Sequence, residues 1–234
     1  MRALPFLALL AAATPAAAQV GHPPDASPYQ DIMKGHSITP VVGMFGGGGG
    51  RFGIGGRDGT TYGVRYDLRA GSTVSFGASV ARGTLERLVV DPFVRLADRV
   101  SGPVDQKTTF ADLSIQLNVT GGKTWRRIAP YAGVALGMAF GSDVAADTSD
   151  YEFGNKFYFA PHVGTRVFLT SRVLLRADAR ATFWKLKYPD SFAEEPPLQP
   201  GTDEEPNAVI PDNQMDEWVV SPWVQVGLGF LFRL

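Results

Sequence analysis

Apolar and polar side chains alternate along the stretch from Trp223 to Leu234. One set of alternate residues is apolar throughout, and the set between is small or polar apart from Leu231. The apolar set consists of Val224, Val226, Leu228, Phe230, Phe232 and Leu234. A repeat of two residues is that of a β-strand, whereas an α-helix repeats every 3.6 residues. The pattern therefore predicts a strand whose apolar face points either into a protein core or towards lipid.

The same alternation predicts seven strands before this one. They cover residues 37–47, 60–70, 73–82, 108–120, 128–141, 156–169 and 173–187. Each strand reaches the roughly 9–11 residues that a tilted strand needs to cross a bilayer. An all-β fold follows, which is either a membrane barrel of eight strands or a soluble β-sandwich.

Two features leave details of the strands open. Segment 85–97 is rich in apolar residues and forms either a hairpin extension or a short helix. The alternative count of ten barrel strands would draw on this segment. Pro161 and Pro222 lie inside predicted strands, where proline removes a donor from the hydrogen-bond ladder. We expect a bulge or a strand end at each proline.

The connections between the predicted strands alternate strictly between short and long. The short ones are residues 71–72, 121–127 and 170–172, and the long ones are residues 51–59, 83–107, 142–155 and 188–216. Bacterial membrane barrels have short turns on the periplasmic side and long loops outside. A soluble sandwich has no reason to keep this order, so the connections favour a barrel.

The strand count, the alternating connections and the closing strand resemble the small eight-stranded bacterial outer-membrane β-barrel family, typified by the OmpA barrel and OmpX. The resemblance implies a transmembrane antiparallel up-and-down β-barrel in the outer membrane of a Gram-negative-type bacterium. It also implies contact with outer-membrane lipid and lipopolysaccharide, and assembly by the barrel-assembly machinery. The assembly signal that it implies consists of Val226, Leu228, Phe230, Phe232 and Leu234.

The first residues have the composition of a secretory signal peptide. Arg2 precedes a short apolar run, and Ala16 to Ala18 provide a small-residue cleavage site. No later stretch has the length of a membrane-spanning helix. The expected organisation is a signal peptide at residues 1–18, a periplasmic N-terminal tail at residues 19–36 and an outer-membrane β-barrel at residues 37–234.

Overall composition limits the partners. The 22 basic and 23 acidic residues nearly balance, and nucleic-acid binding would need a basic face, so we expect no nucleic-acid partner. The chain has no cysteine, which excludes disulfides and thiolate metal sites. We expect no cofactor and no metal site, and we expect a monomer.

Alternation also predicts which charged side chains point into the barrel. They are Arg65, Asp67, Arg69, Asp112, Arg166, Arg176, Asp178 and Arg180. The interior of an eight-stranded barrel is just filled by side chains, so we expect these residues to form a charge network that plugs the lumen. The alternative is an ion path or a ligand site.

Catalysis is not expected. Of the three histidines, His22 and His36 lie near the N-terminal tail, and His162 faces the lumen. A lipid-modifying barrel enzyme would need its histidine on the lipid face near the membrane rim. The expected function is a structural or surface-interaction role. The alternatives are a small channel or ligand carrier, and a lipid-modifying enzyme.

Aromatic residues near the strand ends predict two girdles at the membrane interfaces. The outer girdle is expected to contain Tyr62, Tyr151, Phe153, Phe157, Trp184, Tyr188 and Trp218. The inner girdle is expected to contain Trp125, Phe230 and Phe232.

Overall fold

The computed structural model describes residues 27–32, 35–145, 147–202 and 204–233. Its strands are β1 (Tyr29–Asp31), β2 (His36–Phe45), β3 (Gly59–Arg69), β4 (Val74–Val90), β5 (Val100–Asn118), β6 (Lys123–Trp125), β7 (Ile128–Gly141), β8 (Asn155–Phe168), β9 (Val173–Lys187) and β10 (Asp216–Phe232). The expected signal peptide and Leu234 lie outside the described residues.

Eight of these strands close into a ring in the order β2-β3-β4-β5-β7-β8-β9-β10. All neighbours are antiparallel, and β10 pairs with β2, where Val226 lies opposite Val42. The expected eight-stranded barrel is therefore confirmed. The two short strands β1 and β6 pair with each other outside the ring, and β6 lies in the connection between β5 and β7. The alternative of ten barrel strands, which would draw on segment 85–97, is wrong.

Segment 85–97 belongs to a hairpin that extends beyond the other strands. β4 continues to Val90 and β5 begins at Val100, with a 3-10 turn at Leu96–Asp98 between them. A second 3-10 turn spans Asp190–Phe192. Among the described residues, no helix has the length and apolar character needed to cross a membrane.

The prolines do not produce the expected bulges. Pro222 pairs with Ala181 inside β10, and its carbonyl accepts a hydrogen bond from Gly46 N. The pairing of β8 with β9 is missing at Ala160 and Pro161, and it resumes in the same register at His162 opposite Arg180. Each proline thus removes a donor without shifting the strand.

The exterior of the ring is apolar, as the alternation predicts. Outward residues of every strand of the ring are exposed, among them Val42 (58 %), Tyr62 (64 %), Leu113 (69 %) and Val163 (60 %). The interior carries the polar and charged residues instead. A soluble protein has the reverse arrangement, and a barrel that stands in lipid has this one.

Long loops leave one end of the ring and short turns leave the other. The long-loop end carries residues 46–58, 91–99, 142–154 and 188–215, and the short-turn end carries residues 70–73, 119–127 and 169–172. The expected alternation holds, although the extension of β4 and β5 shortens the second long loop. The extra strand length becomes part of a wall above the barrel mouth.

Candidate functional site in the barrel lumen

Seven charged side chains meet in the half of the lumen nearer the short-turn end, and we call them the charged layer. They are Arg65, Asp67, Asp112, Arg166, Arg176, Asp178 and Arg180, and each is no more than 6 % exposed. All seven come from inward positions of four strands, β3, β5, β8 and β9, where the strand pleat points alternate residues into the lumen. The sequence also placed Arg69 here, but Arg69 lies at the rim and donates to carbonyls of the turns, including Gly71 O at 3.3 Å.

Asp67 is the most connected carboxylate of the charged layer. Arg65 Nε donates to its Oδ1 at 3.0 Å, and Arg176 Nη1 donates to its Oδ2 at 2.9 Å. Gln116 Nε2 adds a third bond to Oδ1 at 3.0 Å. Both oxygens are thus used, and charge-assisted bonds of this kind are about twice as strong as neutral ones.

Asp178 is held by a guanidinium fork. Arg176 donates from Nε to Oδ2 at 2.6 Å and from Nη2 to Oδ1 at 3.1 Å. Tyr131 OH donates to the same Oδ1 at 2.6 Å. The Tyr131 ring also lies beneath the guanidinium groups of Arg176 (4.7 Å) and Arg166 (4.4 Å), so one tyrosine supports both a carboxylate and two cations.

Asp112 forms a second centre. Its Oδ2 accepts from Arg180 Nη1 and from Tyr158 OH, each at 3.0 Å. The Arg180 guanidinium lies 5.2 Å from the centre of the Trp223 ring, which joins the charged layer to the aromatic side chains above it. Tyr131 and Tyr158 were missed as network members from the sequence, although both have inward parity in β7 and β8.

Cations outnumber carboxylates in the charged layer by four to three. Arg166 is the arginine without an acidic partner among the described residues. Its Nη1 donates to Asn118 Oδ1 at 2.7 Å, and its Nη2 donates to Gln116 Oε1. Neutral amide oxygens orient this guanidinium without cancelling its charge.

Several buried polar atoms next to these pairs have no hydrogen-bond partner among the described residues. They include Arg65 Nη1, Arg180 Nε and Nη2, Asp112 Oδ1 and His162 Nε2. His162 is 3 % exposed and faces the lumen as expected, with Nδ1 3.3 Å from Ala160 O. The described residues contain no group of three or more acidic or histidine side chains placed to hold a metal ion.

Inward glycines make room for the large lumen side chains. A Cβ at Gly137 would lie 2.6 Å from Tyr158 Cζ, and one at Gly133 would lie 2.9 Å from His162 Nε2. At Gly77 it would lie 2.6 Å from Ser114 Oγ. Gly133 and Gly137 thus leave space for His162 and Tyr158, which lie directly opposite them on the neighbouring strand, and such pairing of small with large residues fills a narrow barrel.

Above the charged layer, towards the long-loop end, six aromatic side chains form what we call the aromatic plug. They are Phe45, Phe110, Phe153, Tyr158, Trp184 and Trp223. Phe110 lies at the centre, 4.8 Å from Trp223 and 6.2 Å from Trp184 between ring centroids. Both tryptophans have no exposed surface, and Trp223 Nε1 donates to Thr61 Oγ1 at 3.0 Å.

Part of the expected outer girdle is wrong. Trp184, Tyr151, Phe153 and Tyr188 are all less than 5 % exposed, because they fill the barrel mouth instead of facing lipid. The other residues of that girdle, Tyr62, Phe157 and Trp218, are 54–64 % exposed on the outside. Trp125 and Phe230 of the inner girdle are also exposed, at 46 % and 49 %.

Three long loops fold over the aromatic plug, and we call them the loop cap: the described residues of 46–58, 142–154 and 188–215. Phe52 packs edge-on against Tyr188 at 5.4 Å, and Phe192 and Ile210 are fully buried beneath them. Arg87 on the long hairpin pairs with Asp147 at 2.6 Å, and Arg51 pairs with Asp212 at 3.0 Å. Apolar packing and ion pairs thus join the loops to one another and to the barrel.

Three of the described C-terminal residues that the sequence singled out point away from the lumen. Val226, Leu228 and Phe230 are 41–49 % exposed on the outside of β10. Phe232 stacks on His36 across the β2–β10 seam at 5.5 Å. Their role as an assembly signal stays a prediction.

Comparison with known proteins identifies the fold. No protein-family model matches the chain, and no curated protein matches it in sequence. The crystal structure of the outer membrane protein OprG from Pseudomonas aeruginosa matches 87 % of this chain and 99 % of its own, with a TM-score of 0.51 and 14 % identity. Neisserial surface protein A matches 88 % and 98 %, with a TM-score of 0.50 and 13 % identity. The fold and the apolar exterior are those of a bacterial outer-membrane β-barrel protein.

Proposed function

We propose that this protein is an integral outer-membrane barrel without a conducting channel, and that it acts through the surface its long loops form. The proposed chain organisation keeps a signal peptide at residues 1–18, a periplasmic tail at residues 19–36 and the barrel at residues 37–234. The lumen then has a structural role, and no step of catalysis is assigned to it.

The observation that carries this proposal is the filling of the lumen at two levels. The charged layer crosses the barrel on the short-turn side, and the aromatic plug and loop cap close the long-loop side. Trp184, Trp223, Phe192 and Ile210 have no exposed surface. A water-filled channel would form only if the side chains of both levels moved aside. The paired buried charges oppose such movement because separating them leaves an uncompensated charge.

The loop cap supports an interaction role because its shape is held by specific contacts. Glu195 accepts hydrogen bonds from the backbone N–H groups of Gly201 at 2.6 Å and Asn207 at 3.1 Å. Glu217 Oε1 accepts from Arg51 N at 2.6 Å and from Tyr188 OH. A preorganised surface loses less conformational entropy on binding than a flexible one.

Lipopolysaccharide is the partner that the barrel rim favours. Lys185 and Lys187 are exposed at the long-loop end of β9, and Arg82 and Lys107 are exposed on the long hairpin, level with the long-loop end of β3. At that height they meet the outer leaflet, where phosphate groups of lipopolysaccharide attract cations. Trp218 on β10 lies opposite Lys185 at the same level and is 59 % exposed.

Planar-bilayer recording tests the closed lumen. Purified protein should add no stable, porin-sized current steps to a bilayer. Reproducible steps from the wild-type barrel would overturn the proposal and favour the small-channel alternative. A folded barrel must be present in the sample, which a change of gel migration on boiling verifies.

Binding of purified lipopolysaccharide to the barrel in phosphatidylcholine nanodiscs tests the surface role. The double variant Lys185→Gln, Lys187→Gln should bind several-fold more weakly, because two cations at the rim are lost. Lys123→Gln, which removes an exposed cation at the short-turn end, is the matched control. Equal binding by all three proteins would refute the proposed partner.

A further inference from the structure

A cavity of about 820 Å³ opens at the short-turn end, below the charged layer. It is walled by β1, by residues of two short turns and by the end of β10. A second space of about 30 Å³ shares Ile32, Gly35, Phe168 and Leu231 with it, and reaches Asp67 and Arg166. We call the two connected spaces the vestibule, and its volume is in the range of small-molecule sites.

Positive charge dominates the vestibule. Arg127, Arg172 and Arg233 line the larger space, and Arg69 and Arg166 line the smaller one. The acidic lining residues are Asp31 and Asp67. Both oxygens of Asp67 are already occupied by arginines that lie outside the vestibule lining.

Four of the five arginines, Arg69, Arg127, Arg166 and Arg172, make no ion pair with any described residue. Arg127 Nη1 donates to Leu169 O at 3.3 Å, which is a neutral partner. A concave surface with one sign of charge and low-dielectric walls concentrates the opposite ion. The vestibule therefore favours an anion from the compartment on the short-turn side.

Arg166 gives the vestibule a rigid inner end. It is 6 % exposed, its two Nη atoms are bound by the amide oxygens of Asn118 and Gln116, and its guanidinium lies over Tyr131. A buried cation without a counter-ion is unfavourable, so an anionic group nearby stabilises it. Its fixed orientation lowers the entropy lost when such a group binds.

Apolar side chains line the vestibule together with the arginines. Ile32, Phe168, Leu231 and Phe232 line the same cavity, so a fully hydrated inorganic ion would leave apolar surface uncovered. An anion with an apolar body fits both parts of the lining, because ligand sites combine apolar walls with a few polar anchors.

We propose that the vestibule binds an organic anion, with a carboxylate or phosphate group held by the arginines and an apolar body against Phe168 and Leu231. The anion is either a soluble molecule or the headgroup of an anionic lipid from the inner leaflet. The vestibule lies at the opposite end of the barrel from the loop cap, so the test of this proposal is independent of the test of the proposed surface role.

Calorimetry on the intact barrel in phosphatidylcholine nanodiscs tests the proposal with three probes. Phenyl phosphate carries both parts of the ligand, inorganic phosphate carries the anion alone, and benzyl alcohol carries the apolar body alone. Phenyl phosphate should bind tighter than either of the others, and its affinity should fall as salt is added. No binding of phenyl phosphate, or equal binding of inorganic phosphate, would overturn the proposal.

Neighbouring arginines in one turn provide a matched control. Arg127→Gln and Arg172→Gln should each weaken phenyl phosphate binding about tenfold, since a charge-assisted hydrogen bond is lost. Arg126→Gln should leave it unchanged, because Arg126 lies over the Trp125 ring at 5.3 Å and does not line the vestibule. Arg126 and Arg127 are both exposed and both have left-handed φ angles (48° and 70°), so the substitutions disturb the turn alike.

Nanodiscs that contain phosphatidylglycerol distinguish the two sources. If the native ligand is a lipid headgroup, phosphatidylglycerol should compete with phenyl phosphate in wild type and lose this effect in Arg172→Gln. If the ligand is soluble, phenyl phosphate should bind equally in both membranes. An equal loss of affinity in Arg126→Gln and Arg127→Gln would contradict the proposal, since it would indicate a general charge effect.

Discussion

Arg176 on β9 reaches across the lumen to Asp67 on β3, and its Nη1 lies 2.9 Å from Asp67 Oδ2. The two residues are 109 positions apart in the chain, and β10 and β2 stand between their strands in the ring. Arg176 also forms a bidentate ion pair with Asp178 of its own strand. This arginine therefore links opposite walls of the barrel, and the link exists only when the ring is closed.

Removing Asp67 should destabilise the barrel. Asp67→Ala leaves Arg65 and Arg176 without their shared carboxylate, and breaking a buried pair in this way costs roughly 3–5 kcal/mol of unfolding free energy. Urea unfolding in detergent micelles measures the loss. The exposed pair Lys185–Asp216 is the control at 2.8 Å, and Asp216→Ala should change the unfolding free energy by about 1 kcal/mol or less. Equal losses in the two variants would contradict a structural charged layer.

The aromatic plug should matter more for stability than aromatic residues on the lipid face. Trp184→Ala removes a side chain with no exposed surface and should lower the unfolding free energy by roughly 3–5 kcal/mol. Trp218→Ala, at a residue that is 59 % exposed, should have a clearly smaller effect in the same urea titration. The opposite order would show that the mouth is not packed as described.

The ion pair between Arg87 and Asp147 should hold the loop of residues 142–154 onto the long hairpin. Both side chains are 5 % exposed or less, and the Arg87 guanidinium lies 5.4 Å from the Tyr151 ring centre. Asp147→Ala should increase the rate of limited proteolysis in this loop roughly tenfold or more, because a buried cation loses its partner. Asp143→Ala, at an exposed residue of the same loop, should cleave like wild type. Unchanged cleavage of Asp147→Ala would mean that apolar packing alone holds the loop.

Acid should release the segment around Glu195. Hydrogen bonds from the backbone N–H of Gly201, and then of Asn207 and Ala208, keep the pKa of Glu195 below its ordinary value of 4.5. A carboxyl group with a lowered pKa in the folded state contributes its stabilisation above the unfolded pKa, and the contribution is lost as the pH falls through the lowered pKa. The amide NMR signals of Gly201 and Asn207 should titrate together with a midpoint below 4.5. Glu195→Gln should abolish this titration, and a midpoint at or above the ordinary value would contradict the contacts.

Alternation in the sequence was enough to orient nearly every strand. Asp67 on β3, Asp112 on β5 and Asp178 on β9 lie in the lumen, as alternation predicted, because a side-chain period of two is a local property of an extended chain. Trp184 lies in the lumen although it was expected in the outer girdle. It follows Arg180 by four residues on the same strand, so strict alternation gives both residues the same inward face. No such signal existed for Tyr151 or Tyr188, since loop residues have no fixed alternation.

The sequence by itself determined the class of fold, the number of strands in the ring, the order of long and short connections, and which charged residues point inwards. The tertiary structure alone decided which of those charges meet, that Arg69 stays at the rim, and that the loops pack over the mouth. It also decided that cationic turns enclose a vestibule at the other end. The physical reason is the range of the interactions: strand alternation and turn length depend on neighbouring residues, whereas pairs such as Arg176 with Asp67 depend on the register and closure of the whole barrel.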